Sequence, residues 1–193
     1  MGRTAGRDPE QTRATLLHAA SQLVRERGIS ATLDDVARRA GVSKGGLLYH
    51  FASKQELLLA MAHDWLERFR ADVLAAVAPG DDTPGHLVRA YVRTSIDGAL
   101  DATATRDALA VIAHLSTVDA VTDLARADAQ RWQEDLRADG LPEDVLLLVL
   151  AAADGAGVQP VWGMEPAPEE LERLRDRLLA MTVLEQRPPV RTP

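Results

Sequence analysis

The 193-residue sequence contains no cysteine, which excludes disulfides and Cys-ligated zinc or iron–sulfur centres and fits a reducing compartment. Aromatic residues make up only 4%, and no stretch keeps up the alternation of apolar and polar residues that a half-buried strand needs. Long apolar runs are also missing. The longest, residues 145–153, is bounded by Asp144 and Asp154 and falls far short of the roughly 20 residues that cross a bilayer. Residues 1–8 are small and polar with no apolar stretch behind them, unlike a secretory signal. A soluble, cytoplasmic protein with no membrane partner is expected. Signatures of catalysis are missing as well. The five histidines, His18, His50, His63, His86 and His114, show no HExxH or other i, i+4 ligand pair. There is no P-loop, dinucleotide-binding glycine fingerprint or G-x-S-x-G either. No catalytic residue, cofactor or metal site is expected.

What is present is alanine and leucine at spacings of three and four, the helical period. An all-α fold of about nine helices follows. Charge is distributed unevenly along the chain. The net charge is −7, yet residues 1–60 hold nine Lys/Arg against six Asp/Glu, and both lysines, Lys44 and Lys54, lie there. A mildly basic head on an acidic body is the footprint of local phosphate binding.

Start and stop signals divide the head into helices. Asp8-Pro9, with Gln11 three residues on, opens the first. Leu16, Leu17, Ala20, Leu23 and Val24 form its apolar face, and Gly28 ends it. Thr32 with Asp35 opens the second, and Gly41 stops it. Ser43 caps a short third, and Ser53 with Glu56 caps a fourth that runs to about residue 78. In the body, Thr83-Pro84 starts a fifth helix. A sixth covers about 104–115 and a seventh about 119–138. Pro142 opens an eighth, apolar all round and expected to be buried. A loop follows over 160–168, then a ninth helix with a stripe of Leu171, Leu174, Leu178 and Met181.

The most informative segment is residues 32–51, TLDDVARRAGVSKGGLLYHF. A helix-turn-helix brings two short helices together steeply across a turn of three or four residues. Close approach needs a small side chain, supplied by Ala37. The turn needs a residue at positive φ, which glycine adopts without strain, and Gly41 stands four residues on. Val36, Val42 and Leu47 are spaced to form the small core between the helices, and Ser43 caps a second helix whose N-terminal residues would enter the major groove.

Over about residues 10–60 the sequence resembles the TetR family of bacterial regulators. The resemblance rests on Thr32-Leu33-Asp34-Asp35-Val36-Ala37, Ala40-Gly41-Val42-Ser43-Lys44-Gly45, His50-Phe51 and Ser53-Lys54-Gln55-Glu56-Leu57. It implies a three-helix DNA-binding head over 1–55 on a larger helical ligand-binding and dimerisation domain over 56–186, with residues 187–193 a disordered tail. Ala152-Ala153-Asp154-Gly155 resembles a stretch in one subgroup of such C-terminal domains. The resemblance implies DNA contacts from Thr32 and Ser43 at helix N-termini. It implies further contacts from Lys44, Gly45 and Gly46 at the start of the recognition helix, and from Tyr49, His50 and Lys54 on phosphate. Leu48 departs from the pattern, since many members carry an aromatic residue there, often tyrosine. Leu48 cannot bond phosphate, so that contact is lost or passes to Tyr49. Arg3 and Arg7 read as a disordered basic tail in preference to a minor-groove arm.

The expected function is a repressor, released from a palindromic double-stranded DNA operator when a small molecule of unknown identity binds the body. Candidate ligand contacts are the polar or aromatic residues on apolar faces: Tyr91, His114, Trp132 and Asp154. Asp154 closes the apolar run, where an unpaired carboxylate would be costly. The eighth and ninth helices, about 142–157 and 168–184, are expected to pair with their symmetry mates in a homodimer. Asp128, Glu134 and Asp135 read as a solvated face. Alternatives are a helix-turn-helix regulator controlled by a protein partner and, less favoured, an all-helical enzyme.

Overall fold

The computed structural model describes residues 8–183, which form nine α-helices and no strand. Arg3, Arg7 and the 187–193 tail lie outside the described residues. The helices are α1 (Pro9–Arg27), α2 (Leu33–Ala40), α3 (Lys44–His50), α4 (Lys54–Ala75), α5 (His86–Ala99), α6 (Ala102–Leu115), α7 (Asp119–Ala138), α8 (Glu143–Val158) and α9 (Pro168–Met181). Two compact units emerge. One holds residues 8–69 with 106–129, the other 70–105 with 130–183.

The first unit is built around α1. Asp8 caps it, its carboxylate accepting from the Glu10 N–H at 3.3 Å rather than from Gln11, and Pro9 occupies the first turn. The predicted face of Leu16, Leu17, Ala20, Leu23 and Val24 is buried. It packs with Val36, Ala37, Leu47, Phe51, Leu57, Leu58 and Met61 in one core that also takes in Leu115 of α6 and Val121 of α7. Gly28 ends α1 at φ 64°. The His114 imidazole rests on it so closely that a Cβ there would lie 3.0 Å from its Cε1. An Arg25–Asp107 ion pair provides a further link between α1 and α6.

In the second unit α5, α8 and α9 pack on one another and bury Val88, Val92, Ile96, Leu146, Val149, Ala153, Leu171 and Leu178. Helix α5 starts later than the Thr83-Pro84 signal predicts. Its N-cap is Gly85 at φ 87°, where a Cβ would meet Leu141 Cδ2 at 2.8 Å. The segment before it serves another purpose. Asp81 takes the buried Arg89 guanidinium on both oxygens, Nη2 to Oδ2 being 2.7 Å, while the Thr83 hydroxyl accepts from Nη2 at 2.6 Å. The Thr83 hydroxyl, followed by Arg89, holds the Asp81 carboxyl at about 2. The end of α7 completes the start of α5: buried Asp139 accepts the Val88 N–H at 2.8 Å, and its other oxygen lies 2.8 Å from His86 Nδ1.

Helix α8 corrects one expectation. It is apolar all round, but within the single chain only the face of Leu146, Val149, Ala153 and Ala156 is buried. Leu147 and Leu148 are 56% and 55% exposed. Composition sets how apolar a helix is, while its neighbours set how much of it they cover.

Candidate nucleic-acid interface

The helix-turn-helix is built from short-range polar contacts around a tight turn. Thr32 and Asp35 form a reciprocal capping box. The Asp35 N–H donates to Thr32 Oγ1 at 3.2 Å, and the Thr32 N–H and hydroxyl donate to Asp35 Oδ2 at 3.1 and 2.6 Å. The Thr32 hydroxyl and N–H hold the Asp35 carboxyl below its ordinary range. Gly41 closes α2 in the left-handed region at φ 66°, ψ 31°, and the Val42 N–H returns to Ala37 C=O at 2.9 Å. Ala37 is buried, as the close crossing requires. Ser43 Oγ then accepts the Gly46 N–H at 3.1 Å and caps α3.

Helix α3 has two distinct faces. Leu47 is fully buried and anchors the inner one. Ser43, Lys44, Gly45, Leu48 and Tyr49 are exposed, with Tyr49 82% open. The two glycines differ in role. A Cβ on Gly46 would strike Val42 Cγ1 at 2.8 Å, so this glycine serves the turn packing, whereas nothing lies within 4 Å of a Cβ on Gly45. Gly45 is the bare spot on the outer surface. His50 is half-buried, with the Tyr49 ring edge-on at 5.2 Å.

The described basic side chains of the head carry internal partners. Arg39 pairs with Glu26 through two 2.7 Å bonds, Arg38 with Asp35 at 3.2 Å, and Lys44 with Asp34 at 3.0 Å. Arg13 lies over the Phe51 ring at 5.2 Å. The Lys54 ammonium donates to the Ile29 carbonyl, which ties the start of α4 to the end of the α1 segment. DNA phosphates would compete with these contacts, so the count of lysines and arginines overstates the free positive charge.

The candidate ligand residues divide between the units. Tyr91, Trp132 and Asp154 meet in the second. The Tyr91 hydroxyl donates to Asp154 Oδ1 at 2.8 Å, and its ring stands edge-on to Trp132 at 5.3 Å. Burial raises the Asp154 carboxyl, opposed by the Tyr91 hydrogen bond, although much of the residue's surface is open. His114 is not among them, since it packs on Gly28 in the first unit. Two partners were missed in the sequence. The buried Arg70 guanidinium lies over Trp132 at 4.0 Å and bonds Asp135 at 2.6 Å. Asp135 is therefore a paired carboxylate, although its side chain remains partly in water. No sequence signal links positions 65 apart on different helices.

Residues 16–61 match the family of bacterial regulatory proteins of the tetR type, and residues 85–183 match the tetracyclin repressor-like C-terminal domain. The chain belongs to the TetR family. The HTH-type transcriptional regulator CymR of Pseudomonas putida is 29% identical over 92% of this chain and 92% of its own length. SrpR of the same species, also an HTH-type transcriptional regulator, is 40% identical over 62 residues, 32% of this chain but only 29% of its own length. In structure, a TetR transcription regulator from Haloarcula marismortui superposes with a TM-score of 0.69 at 19% identity, covering 90% of this chain and 97% of that one. This TetR-family chain is a DNA-binding helix-turn-helix transcriptional regulator, and the enzyme alternative is not favoured. Among the described residues, no single helix is long and apolar enough to cross a membrane.

Proposed function

We propose that the protein is a cytoplasmic homodimeric repressor that leaves a palindromic operator when a small molecule binds its C-terminal part. The observation that carries the DNA half is the outer face of α3, where Ser43, Lys44, Gly45 and Tyr49 are exposed beside a capped, glycine-closed turn. In this reading α3 lies in the major groove, and Thr32, Ser43, Lys44, Tyr49 and His50 contact DNA. Gly45 lets the backbone approach the groove, and Gly46 holds the turn. Lys54 reaches phosphate only by giving up the Ile29 carbonyl or by sharing its ammonium with it. The functional division is a DNA-binding part over 1–55 and an effector part over 56–186.

The effector reading rests on Tyr91, Trp132 and Asp154, with Arg70 and Asp135 beside them. A desolvated carboxylate and two aromatic rings are groups a small molecule can engage with direction. His114 packs on Gly28 in the first unit and is not counted among these groups. The exposed Leu147 and Leu148 of α8 support pairing of α8 and α9 with a second copy, which would take these side chains out of water.

Footprinting on DNA flanking the protein's own coding region, with excess competitor at physiological salt, tests the reading. Protection of a palindromic site, weakened by Lys44→Ala and by Tyr49→Ala, is the expected result. Absence of protection for a folded, monodisperse protein sinks repression at that locus. Control by a protein partner predicts release by a cell fraction but by no small molecule.

A further inference from the structure

We propose that Leu48 is the residue through which this regulator reads sequence, by packing against the 5-methyl groups of thymine in the major groove. The inference rests on the placement of α3 in the groove and adds the chemistry of what it recognises there.

Single leucines on a protein surface are ordinary, but the position of this one sets it apart. Leu48 is 40% exposed on a helix whose neighbouring Leu47 is fully buried. It stands three residues after Gly45 and four after Lys44, which places all three on one side of the helix. Gly45 carries no side chain, and a Cβ there would meet nothing within 4 Å, so the helix can come close to the base edges and bring Leu48 with it.

The rest of that face offers little to distinguish base pairs by hydrogen bonding. Residues 44–50, KGGLLYH, contain no Asn, Gln, Arg, Asp or Glu. Apart from lysine, these are the side chains that form bidentate pairs with adenine or guanine or accept from cytosine. Lys44 is the one side chain there that can donate to a guanine edge, and Asp34 engages it at 3.0 Å. The one remaining mark in the major groove that an aliphatic side chain can read is the thymine methyl, which no other unmodified base carries. A hydroxyl-bearing residue at position 48, such as tyrosine, would bond phosphate or water. Leucine gains only from an apolar neighbour, and DNA presents one there.

The test uses the full chain and duplexes that it enriches from a random-sequence pool. Each thymine in the enriched site is replaced singly by deoxyuridine, which removes the methyl and leaves every hydrogen-bonding group in place. Binding is measured for wild type, Leu48→Ala and, as a control on the same helix, Lys44→Ala. At one or two thymines per half-site, wild type is expected to lose about fourfold in affinity per methyl removed, the size of one methylene-sized apolar contact. Leu48→Ala should bind thymine and deoxyuridine sites equally, whereas Lys44→Ala should weaken overall and keep the discrimination. Because Leu48 is exposed, its replacement should leave the thermal transition of the head unchanged.

Equal wild-type binding to thymine and deoxyuridine duplexes overturns the proposal. So does a methyl dependence that persists in Leu48→Ala, which would assign the contact to another residue. A folded chain that enriches no sequence and shows no salt-dependent affinity for the pool overturns the recognition-helix reading itself, and this inference with it.

Discussion

The two units solve the same problem, satisfying polar groups next to an apolar core, at different distances along the chain. In the helix-turn-helix the decisive contacts join near neighbours: Thr32 with Asp35, Ser43 with Gly46, Ala37 with Val42, and Ser53 with Glu56. In the second unit they join distant ones: Val88 with Asp139, Tyr91 with Asp154, Arg70 with Asp135 and Arg175 with Asp97. A motif made of local contacts can be carried intact between proteins and keeps its signature. A unit held by long-range pairs can exchange them one by one, which leaves no fixed spacing to read.

The largest effect expected from breaking this contrast is at the head core. Leu47→Ala should cost about 3 kcal/mol of stability, as for other fully buried leucines. Denaturant unfolding should show the loss, accompanied by loss of DNA binding, because α3 has no other fully buried anchor. A stability within about 0.5 kcal/mol of wild type would mean that α3 is held from elsewhere.

Next is a long-range contact in the second unit. Asp139→Ala strands the buried Val88 N–H at the start of α5, and should cost about 2 kcal/mol. The deletion acts where no local capping residue can substitute, since the N-cap is Gly85. An unchanged melting temperature would show that His86 and Thr83 reorganise to cap α5 themselves.

Glycine substitutions sharpen the comparison within the head. Gly41→Ala forces a Cβ into the left-handed region and should cost about 1 kcal/mol. Gly45→Ala meets open space and should be neutral or stabilising by up to about 1 kcal/mol through helix propensity. Measured together, equal losses at the two positions would contradict the distinction between turn glycine and groove glycine.

A smaller effect is expected at the Lys44–Asp34 pair. Both side chains are well exposed, and such pairs contribute about 0–1 kcal/mol. Releasing Lys44 with Asp34→Asn should therefore raise affinity for mixed-sequence duplex by roughly fivefold or less. Removing an acidic charge beside the interface should also steepen the dependence on salt. The gain should vanish when Lys44→Ala is already present; a gain that survives would point to simple charge repulsion at Asp34.

Acid provides the smallest test. The carboxyl of Asp81 sits at about 2 when folded, against 3.8 as its ordinary value. Its Thr83 and Arg89 contacts therefore contribute fully above about pH 4 and are lost as pH falls toward 2. Asp81→Asn should flatten the acid limb of the stability curve over that window. An unaltered limb would show that other carboxylates govern acid unfolding.

Much of the helix-turn-helix is legible in the sequence. Capping residues, Gly41 and the apolar spacing around Ala37, Val42 and Leu47 act within a few residues of one another, and their geometry follows from backbone stereochemistry. The exposure of α3 followed from the same pattern. What was not legible was the partnering of its charges. Lys54 reads as a phosphate contact, yet it donates to the Ile29 carbonyl, 25 residues away.

In the second unit the sequence revealed helices, and three of four ligand candidates meet there, because polar groups on apolar faces must find partners somewhere. It could not separate His114 from them or bring Arg70 to Trp132. The sequence by itself determined the all-helical class, the turn and the side of α3 that packs inward, since each depends on period and local stereochemistry. Only the tertiary structure decided which carboxylate faces which guanidinium, which glycine is open, and which face of α8 stays in water. Those outcomes depend on how distant helices cross, and a one-dimensional pattern does not encode that distance.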